Sequence, residues 1–191
     1  MRSYPLLIVA GFAFGTAASA LAAPESYVID STHTTPMFEV MHLGMSLQRG
    51  FFTNASGRIT LDRAAKSGSI DISIGTGSVW TASRALTDVL KREDYFNAEK
   101  FPVMTFASRE LVFEGDVPVS AKGDLTLLGV ARPVALRITG FRCGAHPYTK
   151  RPMCGAEATT TIKRSEFGMT KYVPAVGDEV KLAIQVEAIK D

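Results

Sequence analysis

Charge of one sign is what this chain most lacks. Its 21 basic and 19 acidic side chains leave a formal net charge of +2 over 191 residues, and the two signs are mixed along the chain. No basic stripe exists for a phosphate backbone, so nucleic acid is not expected as a partner. The 46% of apolar residues sets the chain apart from disordered sequences, which combine low hydrophobicity with high net charge. Catalytic signatures are also missing: there is no H-E-x-x-H, no G-x-S-x-G and no phosphate-binding glycine loop. Repeats and low-complexity tracts are absent, and the length suits one domain. Cysteine occurs twice and tryptophan once.

Long hydrophobic runs are confined to the start. Arg2 precedes an uncharged stretch, Ser3 to Pro24, whose apolar centre spans Leu6 to Phe14 and whose second half is Ala, Gly, Ser and Thr. A positive end, an apolar middle and small residues before an A-x-A site form a secretory signal peptide. Ala20-Leu21-Ala22 supplies that site, which predicts a signal over 1–22, a mature domain over 23–191 and a periplasmic location. The rival is a retained anchor, since the run is just long enough to span. Once the signal is cleaved, no membrane span is expected.

Export makes the cysteines readable. Cys143 and Cys154 flank a loop with Gly144, Pro147 and Pro152 between two strand-like runs, so a disulfide is expected in an oxidising compartment. The alternative recruits His146 as a third metal ligand, but the spacing matches no common zinc site and a fourth ligand is missing. No metal is expected.

The dominant period along the mature chain is two. Ile70, Ile72 and Ile74 alternate with Ser69, Asp71 and Ser73; Val119, Ala121, Gly123, Leu125 and Leu127 alternate with polar neighbours. The same holds for Val134, Leu136 and Ile138, and for Val180, Leu182, Ile184 and Val186. Such alternation marks half-buried antiparallel strands. Turn signals stand at Lys66-Ser67-Gly68, Glu114-Gly115-Asp116, Leu128-Gly129 and Val176-Gly177-Asp178, spacing that suits a sandwich or a barrel of about eight strands. One stretch departs: Leu86, Val89 and Leu90 recur at helical spacing behind Ser83, which predicts a helix over about 83–96 covering an open end of the sheet. Its mixed charge argues against a membrane-surface helix.

Specific residues carry the reading further. Tyr27 to Thr34, then Phe38 to Ser46 and Gly50-Phe51-Phe52, resemble the N-terminal pattern of the YceI-like family of polyisoprenoid-binding proteins. Phe101-Pro102 with Phe106-Ala107-Ser108 is similar to that family's F-P-x-x-x-F-x-S segment. Gly123 to Val130 with Pro133-Val134 is similar to its G-x-L-T-L-H-G-V-x-x-P-V hairpin, except that Leu128 stands where the family carries His. Arg164 to Met169 and Val176 to Val180 match its last blocks. The resemblance implies an all-β fold, a lipocalin-like antiparallel eight-stranded barrel of the cell envelope, whose apolar cavity holds an isoprenoid lipid or quinone tail and which needs no cofactor. An eight-stranded barrel is either filled by its own side chains or hollow enough for one slender ligand.

If hollow, the alternating faces assign the lining. Phe38, Val40, Ile72, Ile74, Phe106 and Leu125 would face inward. Leu127, Leu136 and Ile138 continue the wall, with Leu86 and Leu90 closing it from the helix. Headgroup candidates are His33, His42, Trp80 and Arg164. Arg164 has a bland alternative as a salt bridge or carbonyl cap near the last hairpin, and Trp80 as a core residue. Asp30 with His33 reads as a turn organiser, with an acid/base pair or a His33–His42 metal site as sharper rivals. No catalytic residue is assigned. Two other readings stay open: an enzyme acting on an isoprenoid or quinone, and a packed barrel whose loops bind another envelope protein. A strand edge also leaves room for a homodimer.

Overall fold

Alternation of apolar and polar side chains gives each strand one face that must leave water, and a sheet with such a face hides it by curling onto itself. The computed structural model describes residues 23–191; the signal peptide expected over 1–22 lies outside the described residues. Eleven strands form a single antiparallel sheet. In chain order they begin with β1 (Glu25–Ile29), β2 (Thr35–His42), β3 (Ser46–Phe52), β4 (Ala55–Asp62), β5 (Ser67–Gly75) and β6 (Val79–Thr81). After the helix α1 (Arg84–Leu90) follow β7 (Val103–Glu114), β8 (Val117–Leu127), β9 (Val130–Ala145), β10 (Pro152–Lys163) and β11 (Val176–Lys190).

Eight of these strands close a barrel in the order β1-β4-β5-β7-β8-β9-β10-β11 and back to β1. Closure is made by Tyr27, Val28 and Ile29 against Lys190, Ile189 and Ala188. The remaining edge of β11, from Val176 to Gln185, pairs with β2 instead. The turn at Asp30–Thr34 performs that change of partner, and Thr34 fastens it: its hydroxyl donates to the Glu187 carbonyl at 3.2 Å and accepts from the Glu187 amide at 3.1 Å. β3 and β6 extend the sheet beyond β2.

Two places break the expected alternation. A register irregularity between Val112 and Phe113, opposite Ser120 and Pro118, shifts parity at the start of β8, so Pro118 is buried and Val119 is not. A bulge moves every following side chain to the other face, which corrects the inward assignment of Val119. The expected turn at Val176-Gly177-Asp178 is part of β11, carrying a register shift between Val176 and Val180. The hairpin at Leu128-Gly129 is as expected: both residues sit at positive φ, 54° and 77°, as a two-residue turn of the primed type requires.

The helix is shorter than its pattern. Ser83 caps it by accepting from the Leu86 amide at 3.3 Å, but α1 ends at Leu90, not at 96. Six further residues of helix would rotate Phe96 about 120° away from the Leu90 face. Instead the chain turns, Phe96 returns its amide to the Leu90 carbonyl at 3.0 Å, and its ring packs edge-on against Phe52 at 5.2 Å and Phe38 at 6.2 Å. Burial of this aromatic trio decides the end of the helix. Among the described residues no helix is long and apolar enough to cross a membrane.

The hairpin β9–β10 continues beyond β8, whose registered pairing with β9 ends at Ser120 opposite Arg137. Cys143 and Cys154 are direct partners there and form the expected disulfide. His146 is a turn residue, its Nδ1 accepting from the Tyr148 and Thr149 amides, each at 3.2 Å. With both sulfurs bonded to each other, the Cys–His metal alternative falls. Replacing both cysteines by Ser, or reducing them, is expected to lower stability by about 2–3 kcal/mol, read from denaturant unfolding as a lower midpoint.

Candidate functional site

The barrel is hollow. Its cavity measures about 390 Å³, within the range of small-molecule sites, and its wall is almost wholly apolar. Phe38 and Val40 of β2, Ile72 and Ile74 of β5, and Phe106 of β7 all stand on it. So do Leu125 and Leu127 of β8, Leu136 and Ile138 of β9, and Leu86 and Leu90 of α1. The structure therefore brings together the eleven residues assigned to the lining, nine from strands and two from the helix.

The two ends differ. One is closed by buried side chains, among them Tyr27, Leu61, Leu111, Cys154 and Ala188. Tyr27 donates its hydroxyl to Glu25 Oε2 at 2.7 Å; burial first and Glu25 second push its phenol up to about 12. At the other end the lining residues His42, Gln48, Tyr95 and Val176 are half-buried and Tyr172 is 61% exposed. This end is the mouth, framed by the β2–β3 hairpin, the segment after α1 and the loop before β11.

The polar candidates separate. His42 lines the mouth. His33 is exposed on the outside of the wall beside Glu157, Gln185 and Glu187. His42 is level with Val176 and His33 lies beside Glu187; with the register shift in β11 allowed for, about nine residues of strand separate them, roughly 30 Å, so the two cannot share a metal. Trp80 faces outward, 51% exposed, with its ring 5.0 Å from Phe51. It is neither core nor cavity wall.

Arg164 reaches the cavity wall but its fork is engaged elsewhere. Nε donates to the Gly177 carbonyl at 2.8 Å, Nη1 to Met169 at 2.8 Å, and Nη2 to Lys171 and Val176, each at 2.9 Å. The register shift in β11 turns the Val176 and Gly177 carbonyls toward it. Burial pulls the guanidinium below its ordinary pKa, opposed by Tyr95 and Asp178. Asp178 accepts from the Ser165 amide at 2.9 Å and hydroxyl at 2.7 Å, holding the 3-10 turn Arg164–Phe167. Burial alone would raise the Asp178 carboxyl, but these bonds and Arg164 bring it below its ordinary value. The carbonyl-cap reading of Arg164 is the one the geometry matches, and among the described residues no buried side-chain polar atom lacks a partner.

Asp30 organises its turn. One carboxylate oxygen accepts from the Thr32 amide at 2.9 Å and hydroxyl at 2.6 Å, and the other faces His33 Nδ1 at 2.9 Å. His33 first and Thr32 second hold the Asp30 carboxyl down at about 2, while Asp30 raises the imidazole. The Glu187 carboxylate lies within 4.8 Å of the pair.

Residues not assigned from the pattern include Gln48, Tyr95 and Tyr172 at the mouth and wall residues such as Ile59, Leu182 and Val186. Tyr95 and Tyr172 sit in irregular loops where no period applies, whereas Gln48 is in β3. Phe52 and Met104 on the wall were accessible in principle, since each keeps parity with an inward neighbour on its own strand or its pairing partner.

Two expectations follow. The Asp30 contribution to stability is present above about pH 4 and is lost as pH falls toward 2, whereas the His33 contribution is present below its ordinary 6.5 and is lost as pH rises through its raised value. Asp30→Asn should therefore return the His33 pKa toward its ordinary value, read by NMR titration of its ring protons. Arg164→Met should cost at least ~3 kcal/mol, because several carbonyls lose their donor at about 1–3 kcal/mol each, read from denaturant midpoints. Arg164→Lys should recover only part of the loss.

Comparison with known proteins places this geometry. A YceI-like domain model matches residues 27–188. Protein YceI of Salmonella agona (strain SL483) is 32% identical over 185 residues, covering 94% of this chain and 96% of the relative. Among solved structures, BcnA of Burkholderia cenocepacia superposes with a TM-score of 0.70 at 22% identity, covering 83% of this chain and 98% of its own. A polyisoprenoid binding domain from Saccharophagus degradans superposes at 0.62 and 15% identity, covering 87% and 99%. Those two likenesses are of fold. The family model spans nearly the whole barrel, from the closing strand β1 to the end of β11, and the chain belongs to the YceI-like family.

Proposed function

We propose that this protein is a periplasmic binding protein that sequesters or carries a long-chain isoprenoid lipid, a polyprenyl lipid or a quinone tail, without chemically transforming it. The observation that carries this reading is the continuous apolar cavity of about 390 Å³, closed at one end and open at the other. A slender hydrocarbon chain suits such a space because its burial needs area and few polar contacts. Each isoprene unit removed from water contributes on the order of 3 kcal/mol. The likeness to a polyisoprenoid binding domain supports the same ligand class. Export through the N-terminal signal, with cleavage after Ala22, is supported by the cystine, which suits an oxidising compartment. A binding role without catalysis is supported by the position of Asp30 and His33 on the outer side of the wall, away from the cavity.

The test is to purify the mature protein from the envelope without detergent, extract it with organic solvent and identify bound lipid by mass spectrometry. A stoichiometric polyprenyl lipid or quinone is expected. Protein that is empty and also fails to bind added prenyl lipid overturns the reading. Phe106→Glu with Leu127→Glu should lower affinity for a prenyl lipid by at least ~100-fold through loss of apolar contact and burial of charge. Unchanged affinity in the folded double variant would remove those residues from the site.

A further inference from the structure

Among the described residues, six of the thirteen exposed large apolar side chains gather at the mouth of the cavity. Val40 to Gln48 are nine successive residues without a charge. Within them Met41 is 41% exposed, Leu43 56%, Met45 86% and Leu47 38%. Leu43 and Gly44 sit at positive φ, 54° and 67°, so the β2–β3 turn is tight and its tip projects. The Leu43 amide donates to the Ala175 carbonyl at 2.7 Å, joining the tip to a second uncharged segment, Tyr172 to Gly177. Tyr172 there is 61% exposed and Val173 37%. These six side chains form one crest, and its two segments also supply His42, Gln48, Tyr172 and Val176 to the cavity wall.

We propose that this crest inserts into the surface of a lipid bilayer, so that the cavity opens directly onto the acyl region from which its ligand comes. This inference rests on the binding reading given above, and two features single out a membrane as the occupant. First, the exposed apolar surface is continuous with the apolar wall, which gives a hydrocarbon chain a path that avoids water. Second, the crest is small and convex. A second copy or a folded partner would need about 20–30 residues a side for a stable interface, whereas a projecting turn buries its side chains best in a soft medium that closes around it. Tyr172 is the residue type that sits at a headgroup boundary, with an apolar ring and a polar tip.

Charge sets the kind of surface. Two cations at the mouth are paired within the protein, Arg49 with Glu39 and Lys171 with Asp94, and the crest itself carries no Lys or Arg. Docking is therefore carried by apolar insertion. It should proceed on zwitterionic vesicles and change little with salt, unlike the binding of a basic patch to anionic lipid.

The experiment is co-sedimentation of the mature protein with phosphatidylcholine vesicles that contain no isoprenoid. Measurable binding that persists at 0.5 M salt is expected. Leu43→Asn with Met45→Glu removes two tip side chains outside the cavity wall, Asn being chosen because it tolerates the positive φ. It should lower vesicle partitioning by roughly 100-fold, with an unchanged melting temperature and unchanged equilibrium affinity for a prenyl lipid presented in detergent micelles. Transfer of prenyl lipid from vesicles to protein should slow in parallel. Failure of the wild type to sediment, equal sedimentation of the variant, or binding only to anionic vesicles at low salt would overturn the proposal. Phe106→Glu with Leu127→Glu separates the two readings: it should keep vesicle binding while losing the prenyl ligand. If micellar prenyl lipid does not bind the wild type, it is the binding reading that fails.

Discussion

The short ladder between β1 and β11 is what makes a cavity out of a sheet. Without the pairing of Tyr27, Val28 and Ile29 with Lys190, Ile189 and Ala188, the apolar faces of the other strands would line an open trough. Closure also explains the Asp30–Thr34 turn. β11 is long enough to serve two neighbours, and the chain must leave it after β1 and rejoin it as β2 in the same direction. Asp30, Thr32 and His33 shape that step, and Thr34 anchors it on Glu187. A segment whose polar residues invite a catalytic interpretation is thus occupied with architecture.

The cavity follows from what the wall lacks. Its side chains are medium-sized aliphatics and phenylalanines, and the polar groups that reach it are satisfied by the protein itself, Arg164 by four carbonyl bonds and Tyr27 by Glu25. A wall that makes no polar demands on its contents selects by shape and by apolar area. The polar side chains His42, Gln48, Tyr95 and Tyr172 are instead gathered at the mouth, where they meet water.

Strand faces were legible because a period of two survives translation into a barrel wherever no bulge intervenes, which is why Ile72, Phe106, Leu127 and Ile138 could be placed inward from their neighbours alone. Where geometry depends on an irregularity, pattern was silent. Pro118 replaces Val119 because of a register shift in a partner strand, and α1 stops at Leu90 because Phe96 gains more from the aromatic cluster than from helical continuation. Arg164 shows a different limit. Its partners are backbone carbonyls, which every residue carries, so no side-chain motif could announce them. Leu128 keeps the left-handed turn position and packs against the core, so the hairpin stands without a polar group there.

The closing ladder also joins the two ends of the described chain. Thr34 and Glu187 are 153 residues apart in sequence, and Glu25 and Lys190 are 165 apart. Contacts of such separation form late, because the entropy of closing a long loop precedes any return from it. Hairpins from β7 to β11 can assemble from local contacts while β1 waits for a partner that is synthesised last. A chain without β11 leaves the barrel open, so the enclosed cavity depends on the last strand.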